Sequence, residues 1–199
     1  MLKIGSLELS TDDVARKASL SSDELTTRVF GRQFKLALDE LLASVPENTS
    51  VILDFPVKTE SSFLDEVFGN LASERAARQG IHRCLLLRSL VDITQENLAM
   101  ALESRPFKRE PGLRNCVMPV ITISGEVQLI GKWEGSVEET FDLLRRNPEL
   151  HTRDVASALD ISVAAASTRL KSLFDLGLAV RFEEHDEQGL QFVYCWPLS

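Results

Sequence analysis

The stretch from Val51 to Leu71, VILDFPVKTESSFLDEVFGNL, constrains the fold more than any other part of the sequence. It begins with an apolar run that ends at Asp54. A short polar turn follows, and Ser61 and Ser62 then open a second apolar stretch at helical spacing. A buried strand, a turn and a helix start form the arrangement in which α/β folds place ligands, just beyond the carboxyl end of the strand. The stretch therefore predicts the centre of an α/β layer.

Strand and helix patterns alternate on both sides of this stretch. Apolar residues recur at spacings of three and four over 23–43 and 92–104, which predicts two helices. Continuous apolar runs predict strands over 81–87, 117–124 and 127–133, the last two joined by a glycine-containing hairpin turn. This alternation favours an α/β fold with a mixed sheet over residues 1–132.

The composition changes at Trp133, and a second unit is predicted over 133–199. Ser136 and Glu139 have the spacing of a capping box, so a helix should begin there. Apolar spacing and turn residues predict helices over 136–146, 153–159 and 163–176, followed by strands over 178–183 and 190–196. Three helices followed by a hairpin predict a small α+β domain of the winged helix-turn-helix type.

The run from Asp154 to Glu184 resembles the winged-helix family of bacterial regulators. The similarity rests on the turn at Asp160-Ile161-Ser162 and on the Leu176-Gly177-Leu178 corner. It implies that the third helix and the wing contact DNA or a partner protein. The candidate contact residues are Arg153, Ser162, Ser167, Thr168, Lys171 and Arg181.

The charge of this unit argues against a simple DNA-binding function. Residues 133–199 hold twelve Asp and Glu but six Lys and Arg, within a chain of net charge -8. The predicted wing is itself acidic, from Glu183 to Glu187, and acidic side chains repel phosphates. Double-stranded DNA and a partner protein therefore both remain open as ligands of this unit, and winged helices also serve as dimerisation modules.

Residues from about 20 to 105 resemble a bacterial STAS-like domain family of unknown function. The matching features are Thr27-Arg28, a strand ending Leu53-Asp54-Phe55, and a helix start Ser62-Phe63-Leu64-Asp65-Glu66 followed by Phe68-Gly69. The wider STAS group includes anti-sigma-factor antagonists that use a serine at this helix start as a phosphorylation switch. The resemblance implies such a switch at Ser61 or Ser62, although Phe63 stands where the antagonists have glycine. The alternative is structural, because Ser62 and Asp65 also have capping-box spacing.

A basic segment, RPFKREPGLR, follows the second predicted helix and contains Arg105, Lys108, Arg109 and Arg114. We expect either a solvated linker or a contact for an acidic partner or nucleic acid.

Metal, cofactor and membrane functions find little support in the sequence. The three cysteines and three histidines are scattered without metal-ligand spacing, so no metal or cofactor is expected. Asp54 with Asp65 or Glu66 could form an acid–base or magnesium site, but no phosphate loop or nucleophile elbow accompanies them, and Asp54 is expected to accept backbone N–H groups. No apolar run is long enough for a membrane helix and no secretion signal is visible, which predicts a cytoplasmic protein.

These features predict a non-enzymatic regulatory protein. Its STAS-like half would sense a signal or dock a partner, and its winged helix would act on DNA as a transcriptional regulator, as a homodimer, or on a protein. The alternatives are an adaptor in a signalling or defence complex without DNA binding and a cryptic hydrolase that uses Asp54.

Overall fold

The computed structural model describes residues 2–79, 81–186 and 189–198. Its larger sheet has five strands that lie side by side in chain order. They are β1 (Gly5–Ser10), β2 (Thr49–Asp54), β3 (Cys84–Arg88), β4 (Cys116–Ile121) and β5 (Val127–Lys132). Strands β1 to β4 are parallel and β5 is antiparallel to β4. The predicted α/β fold with a mixed sheet is confirmed.

A layer of helices covers one face of this sheet, called the front face here. Its α-helices are α1 (Thr11–Lys17), α2 (Arg28–Ala43), α3 (Ser61–Leu64), α4 (Asn70–Ala76) and α5 (Asp92–Lys108). Side chains of β2 alternate, so that Val51 and Leu53 pack under these helices while Ile52 points to the opposite, back face. Helices α3 and α4 are joined without a break by a π-helical turn, Asp65–Gly69, which the sequence did not predict.

Two boundaries in this layer differ from the predictions. Helix α2 begins at Arg28 instead of residue 23, because the Thr27 hydroxyl caps it by accepting from the N–H of Phe30 at 3.4 Å. Helix α5 runs past Pro106 to Lys108, so the first part of the predicted basic linker is helical.

The C-terminal residues form three helices and a three-stranded antiparallel sheet of order β6-β8-β7. The elements are α6 (Gly135–Arg146), β6 (Glu149–His151), α7 (Thr152–Ala158), α8 (Val163–Asp175), β7 (Val180–Asp186) and β8 (Gly189–Cys195). Strand β6 was not predicted, and the capping box at Ser136 is wrong, because Glu134 occupies the N-cap position without a side-chain bond. Glu187, part of the predicted acidic wing, lies outside the described residues.

The C-terminal unit packs directly on the back face of the five-stranded sheet. Ile52, Leu86 and Val117 of the sheet share one apolar cluster with Phe141 and Leu170 of the unit. Ser50 also donates a hydrogen bond of 2.6 Å to the carbonyl of Pro197. The sheet is therefore the middle of three layers, and the division into domains 1–132 and 133–199 stays a prediction. Within the described residues, no helix has the length and apolar character needed to cross a bilayer.

Candidate functional site

A cavity of about 370 Å³ opens in the front layer where the beginning of α2, the beginning of α3 and the end of α5 meet. It brings together three features that the sequence suggested separately: the Thr-Arg motif, the serine pair and the basic segment. Its lining residues are Arg28, Ser61, Ser62, Asp65, Met100, Ala101, Ser104, Arg105, Lys108 and Arg109. We call this cavity the basic pocket.

Asp65 holds three arginines together at the wall of the basic pocket. Its two carboxylate oxygens lie 2.7 Å from Arg105 Nη1, 3.0 Å from Arg109 Nη1 and 3.4 Å from Arg28 Nη2. Arg105 is only 5 % exposed and also donates to Glu110 at 2.8 Å and to Asn70. The charge of this buried arginine is therefore fully compensated inside the protein.

Glu66 lies next to Asp65 and is buried as well. It accepts from Arg32 Nε at 3.2 Å and lies 3.7 Å from Arg28 Nη1. Arg28 is thus shared between two carboxylates at long distances, and 40 % of its side chain remains exposed.

Close packing around the π-helical turn fixes both carboxylates. A β-carbon at Gly69 would lie 2.8 Å from Arg105 Nη1 and 2.9 Å from Asp65 Oδ1, so a larger residue would disturb their contact. Phe63, just before the turn, and Phe68, inside it, are fully buried and stack edge-to-face on Phe34 and Phe55, respectively. Phe63 therefore packs inward, and Phe55 belongs to the same aromatic core.

Ser61 and Ser62 are half-buried at the edge of the basic pocket. The predicted capping box of Ser62 and Asp65 is wrong, because Glu60 is the N-cap residue and makes no side-chain capping bond. Asp65 is turned to the arginines instead. Phosphate at either serine would therefore meet cations as well as the carboxylates that the sequence shows beside it.

The four cations of the basic segment do not form one continuous surface patch. Arg105 is buried on α5 and occupied by Asp65, whereas Lys108 is exposed and makes no ion pair among the described contacts. Arg114 lies away from the basic pocket, lines a different cavity and reaches Glu134 at 3.4 Å. The segment therefore contributes to two separate places.

Asp54 belongs to another network, at the end of β2. It accepts from Ser89 Oγ at 2.6 Å and from Arg88 Nε at 3.2 Å, and Arg88 also pairs with Glu8. The hydrogen bond from Ser89, followed by Arg88, holds the pKa of Asp54 below its usual range. The expected backbone N–H partners of Asp54 are wrong, because its described partners are side chains. Its network is distinct from the arginines around Asp65, so the structure does not pair the two carboxylates.

The predicted contact residues of the C-terminal unit are largely occupied within the unit. Lys171 Nζ lies 2.6 Å from Asp175, and Arg181 stacks between the rings of Phe174 and Phe192 at 4.2 and 4.3 Å. The other polar candidates make local contacts or are exposed: Ser162 caps α8, Thr168 donates to the carbonyl of Ala164, Ser167 is exposed on α8 and Arg153 is exposed on α7.

Arg75 is a second buried arginine that sequence reasoning missed. It is fully buried on α4, where it donates to the carbonyl of Arg83 at 2.6 Å and lies 3.9 Å from Met118 Sδ. Its Nε has no hydrogen-bond partner and no carboxylate pairs with it among the described residues. Burial lowers the pKa of Arg75 to about 10. The surrounding SERAARQG sequence reads as an exposed helix end and carries no signal of this burial.

Among the described residues, no cluster of three His, Cys, Asp or Glu side chains is placed to hold a metal ion. Comparison of the chain with protein-family models finds no match, and comparison with curated proteins finds none either. The functional interpretation therefore rests on the basic pocket and on the surface of α8.

Proposed function

We propose that the protein is a non-enzymatic regulator in which a STAS-like α/β layer is joined to a winged helix that binds a partner protein instead of DNA. The order of elements supports the second module: a helix, a short strand, two helices and a hairpin, with the first strand paired to the last. The α/β layer carries the serine pair and the basic pocket on the side opposite to this unit.

The choice of a protein as the partner rests on one observation, which is that the cations on α8 and β7 already contact other residues of the unit. Lys171 is bound to Asp175, Arg169 is bound to Glu139 at 2.8 Å, and Arg181 is stacked between two rings. A DNA-binding surface needs several cations free to replace counterions along the phosphates. Exposed Ser167 and Thr168 can hydrogen-bond to a protein as well as to a base edge.

Fluorescence anisotropy with a labelled duplex of mixed sequence tests this proposal at low salt, about 50 mM, where electrostatic DNA binding is strongest. We expect no saturable binding by the full chain. Asp175→Asn, which releases Lys171 and also Arg78, should raise residual binding, and the distant Asp13→Asn should not. Salt-dependent binding by the unchanged chain that Lys171→Glu or Arg153→Glu weakens would overturn the proposal in favour of a transcriptional regulator, and sedimentation would show whether that regulator is a homodimer.

The serine pair is the proposed input of the α/β layer. Phosphate on Ser61 or Ser62 would lie beside Arg28 and Arg109, and charge-assisted hydrogen bonds of this kind order neighbouring segments. Mass spectrometry of the protein isolated from the cells that make it should find phosphate on the peptide that contains both serines. An unmodified peptide under all growth conditions would contradict this input.

A cryptic hydrolase built on Asp54 is the weaker candidate. Ser89 and Arg88 donate hydrogen bonds to its carboxylate, so a structural role, which is to hold the end of β2 in place, explains the residue. Any hydrolytic activity of the purified chain that Asp54→Asn abolishes would revive this candidate.

A further inference from the structure

We propose that the basic pocket binds the phosphate group of a small phosphomonoester taken up from solution. This inference concerns a ligand of the α/β layer, and it stands whether the C-terminal unit contacts a protein or DNA.

The basic pocket has more hydrogen-bond donors than acceptors. Four cations line it, and Asp65 is the one carboxylate among the lining residues. Arg105 already donates to Asp65, Asn70 and Glu110 through all three of its guanidinium nitrogens. The remaining three cations keep unused donors: Arg109 makes one described contact of 3.0 Å, Arg28 makes only contacts of 3.4 Å and longer, and Lys108 makes none.

The arginines of the basic pocket are already oriented before a ligand binds. The buried carboxylate of Asp65 contacts Arg28, Arg105 and Arg109 and so holds their guanidinium groups around the opening. Asp65 is itself only 8 % exposed, so a ligand anion would bind beside it and would not displace it. Because the donors are held in place before binding, little side-chain entropy is lost when a ligand arrives.

The donors of the basic pocket fit a phosphate better than a carboxylate. Three available cations favour a dianion over a single carboxylate, and guanidinium groups match the geometry of phosphate oxygens. The hydroxyls of Ser61, Ser62 and Ser104 add neutral donors at the same wall. Phosphate monoesters, which are close to dianionic at neutral pH, fit this set of donors.

The size and rim of the pocket indicate a small organic ester. A volume of about 370 Å³ lies at the lower end of ligand-binding cavities, which suits a sugar phosphate or a nucleoside monophosphate. Met100, 59 % exposed at the rim, offers an apolar and adaptable surface for the organic part.

Phosphate could reach these cations from two sources, a free phosphomonoester or a phosphorylated Ser61 or Ser62. The two sources share one set of donors and therefore exclude each other. Free ligand should bind the unphosphorylated chain, and it should still bind a Ser61→Ala, Ser62→Ala double variant, which cannot carry phosphate at this place.

Isothermal titration calorimetry of the full unphosphorylated chain with adenosine 5′-monophosphate, ribose 5-phosphate and adenosine tests the proposal. We expect both phosphates to bind, adenosine not to bind, and the serine double variant to lose no more than about tenfold in affinity, because it removes only neutral donors. Lys108→Gln and Arg109→Gln should each weaken binding about tenfold, since each removes a charge-assisted hydrogen bond. Both residues are exposed, so these variants should fold, and circular dichroism would verify it.

Arg114→Gln is the matched control, because Arg114 is an exposed arginine of the same segment outside the basic pocket. It should leave the affinity unchanged. Equal loss of affinity in Arg114→Gln and Arg109→Gln would overturn the proposal, as would failure of both phosphates to bind. Binding of the phosphates by the unphosphorylated chain supports a free ligand if the alanine variant retains it. Loss of all binding in the alanine variant would show that the serine hydroxyls, and not the cations, supply the affinity, and it would overturn the proposal.

Discussion

The two buried arginines, Arg105 and Arg75, lie in environments of opposite character. Arg105 is surrounded by the oxygens of Asp65, Asn70 and Glu110 in the front layer. Arg75 is fully buried where α4 meets the C-terminal unit, and it has one carbonyl, one thioether and an unpartnered Nε. The first arrangement compensates a charge beside an open pocket. The second leaves a charge uncompensated at a joint between layers, so burial alone does not tell which arginine belongs to a site.

The contact around Arg75 also joins the front layer to the C-terminal unit. A β-carbon at Gly177 would lie 2.8 Å from the guanidinium carbon of Arg75 and 3.0 Å from the carbonyl of Arg83. Nearby, Asp175 pairs with Arg78 at 3.1 Å, and its backbone carbonyl lies 3.1 Å from His82 Nδ1. The end of α8 is thus fixed to the segment between α4 and β3 by several polar contacts.

Replacing Arg105 should produce the largest loss of stability. Arg105→Met leaves Asp65 without its shortest ion pair and Asn70 without a donor, so we expect the free energy of unfolding to fall by about 3 kcal/mol. Urea denaturation measures this change. Arg109→Met, which removes a more exposed partner of the same carboxylate, should cost less than about 1 kcal/mol. Equal losses in the two variants would contradict the distinction between them.

The central position of Arg105 could not be predicted because of the proline that follows it. Proline removes a backbone donor and normally marks a helix boundary, which is why the basic segment reads as a loop. In the structure the helix continues, and the N–H groups of Arg109 and Glu110 both donate to the carbonyl of Arg105 at 3.0 and 3.1 Å. Apolar periodicity, by contrast, predicted the sheet and its flanking helices because burial of one face repeats along each element.

Arg75 and Gly177 could not be predicted as neighbours, because their contact joins distant parts of the chain. The Leu176-Gly177-Leu178 corner indicates a turn, which the positive φ of Gly177, 71°, confirms. The sequence holds no periodic signal for what packs against that turn. A contact between a single polar residue and a distant part of the chain leaves no periodic pattern, so it cannot be predicted from one sequence.

Replacing Gly177 should produce the second largest loss of stability. Gly177→Ala forces a β-carbon against Arg75 at a backbone conformation that alanine adopts poorly, so we expect a loss of about 2 kcal/mol or more in urea denaturation. Gly125→Ala is the matched control, since Gly125 has a φ of 84° with nothing within 4 Å. It should lose only the backbone contribution, about 1 kcal/mol. Equal losses of stability in the two variants would mean that the contact with Arg75 contributes nothing to the loss.

Cysteine labelling should show which layer opens when the joint is disturbed. Cys84 belongs to the apolar cluster behind the sheet and Cys116 to the cluster in front of it, and burial raises their thiol pKa values to about 12 and about 11. Neither thiol should react while the layers are packed against each other. In Gly177→Ala, we expect Cys84 to be labelled about tenfold faster while Cys116 keeps its rate, read by peptide mass spectrometry. Parallel acceleration of both thiols would indicate global unfolding instead of opening at the joint.

The smallest effect is expected for Arg75 itself. Arg75→Met removes a buried charge that has no carboxylate partner and puts an apolar side chain of similar length in its place, so we expect the stability to change by less than about 1 kcal/mol. A methionine can also bend away from an added methyl group. Gly177→Ala should therefore lose less stability in the Arg75→Met background than alone, and a double-mutant cycle measures this coupling. A large loss of stability on Arg75→Met would mean that the hydrogen bond from Arg75 to the carbonyl of Arg83 stabilises the fold by more than burial of the charge costs. The two arginines would then stabilise the fold in the same way.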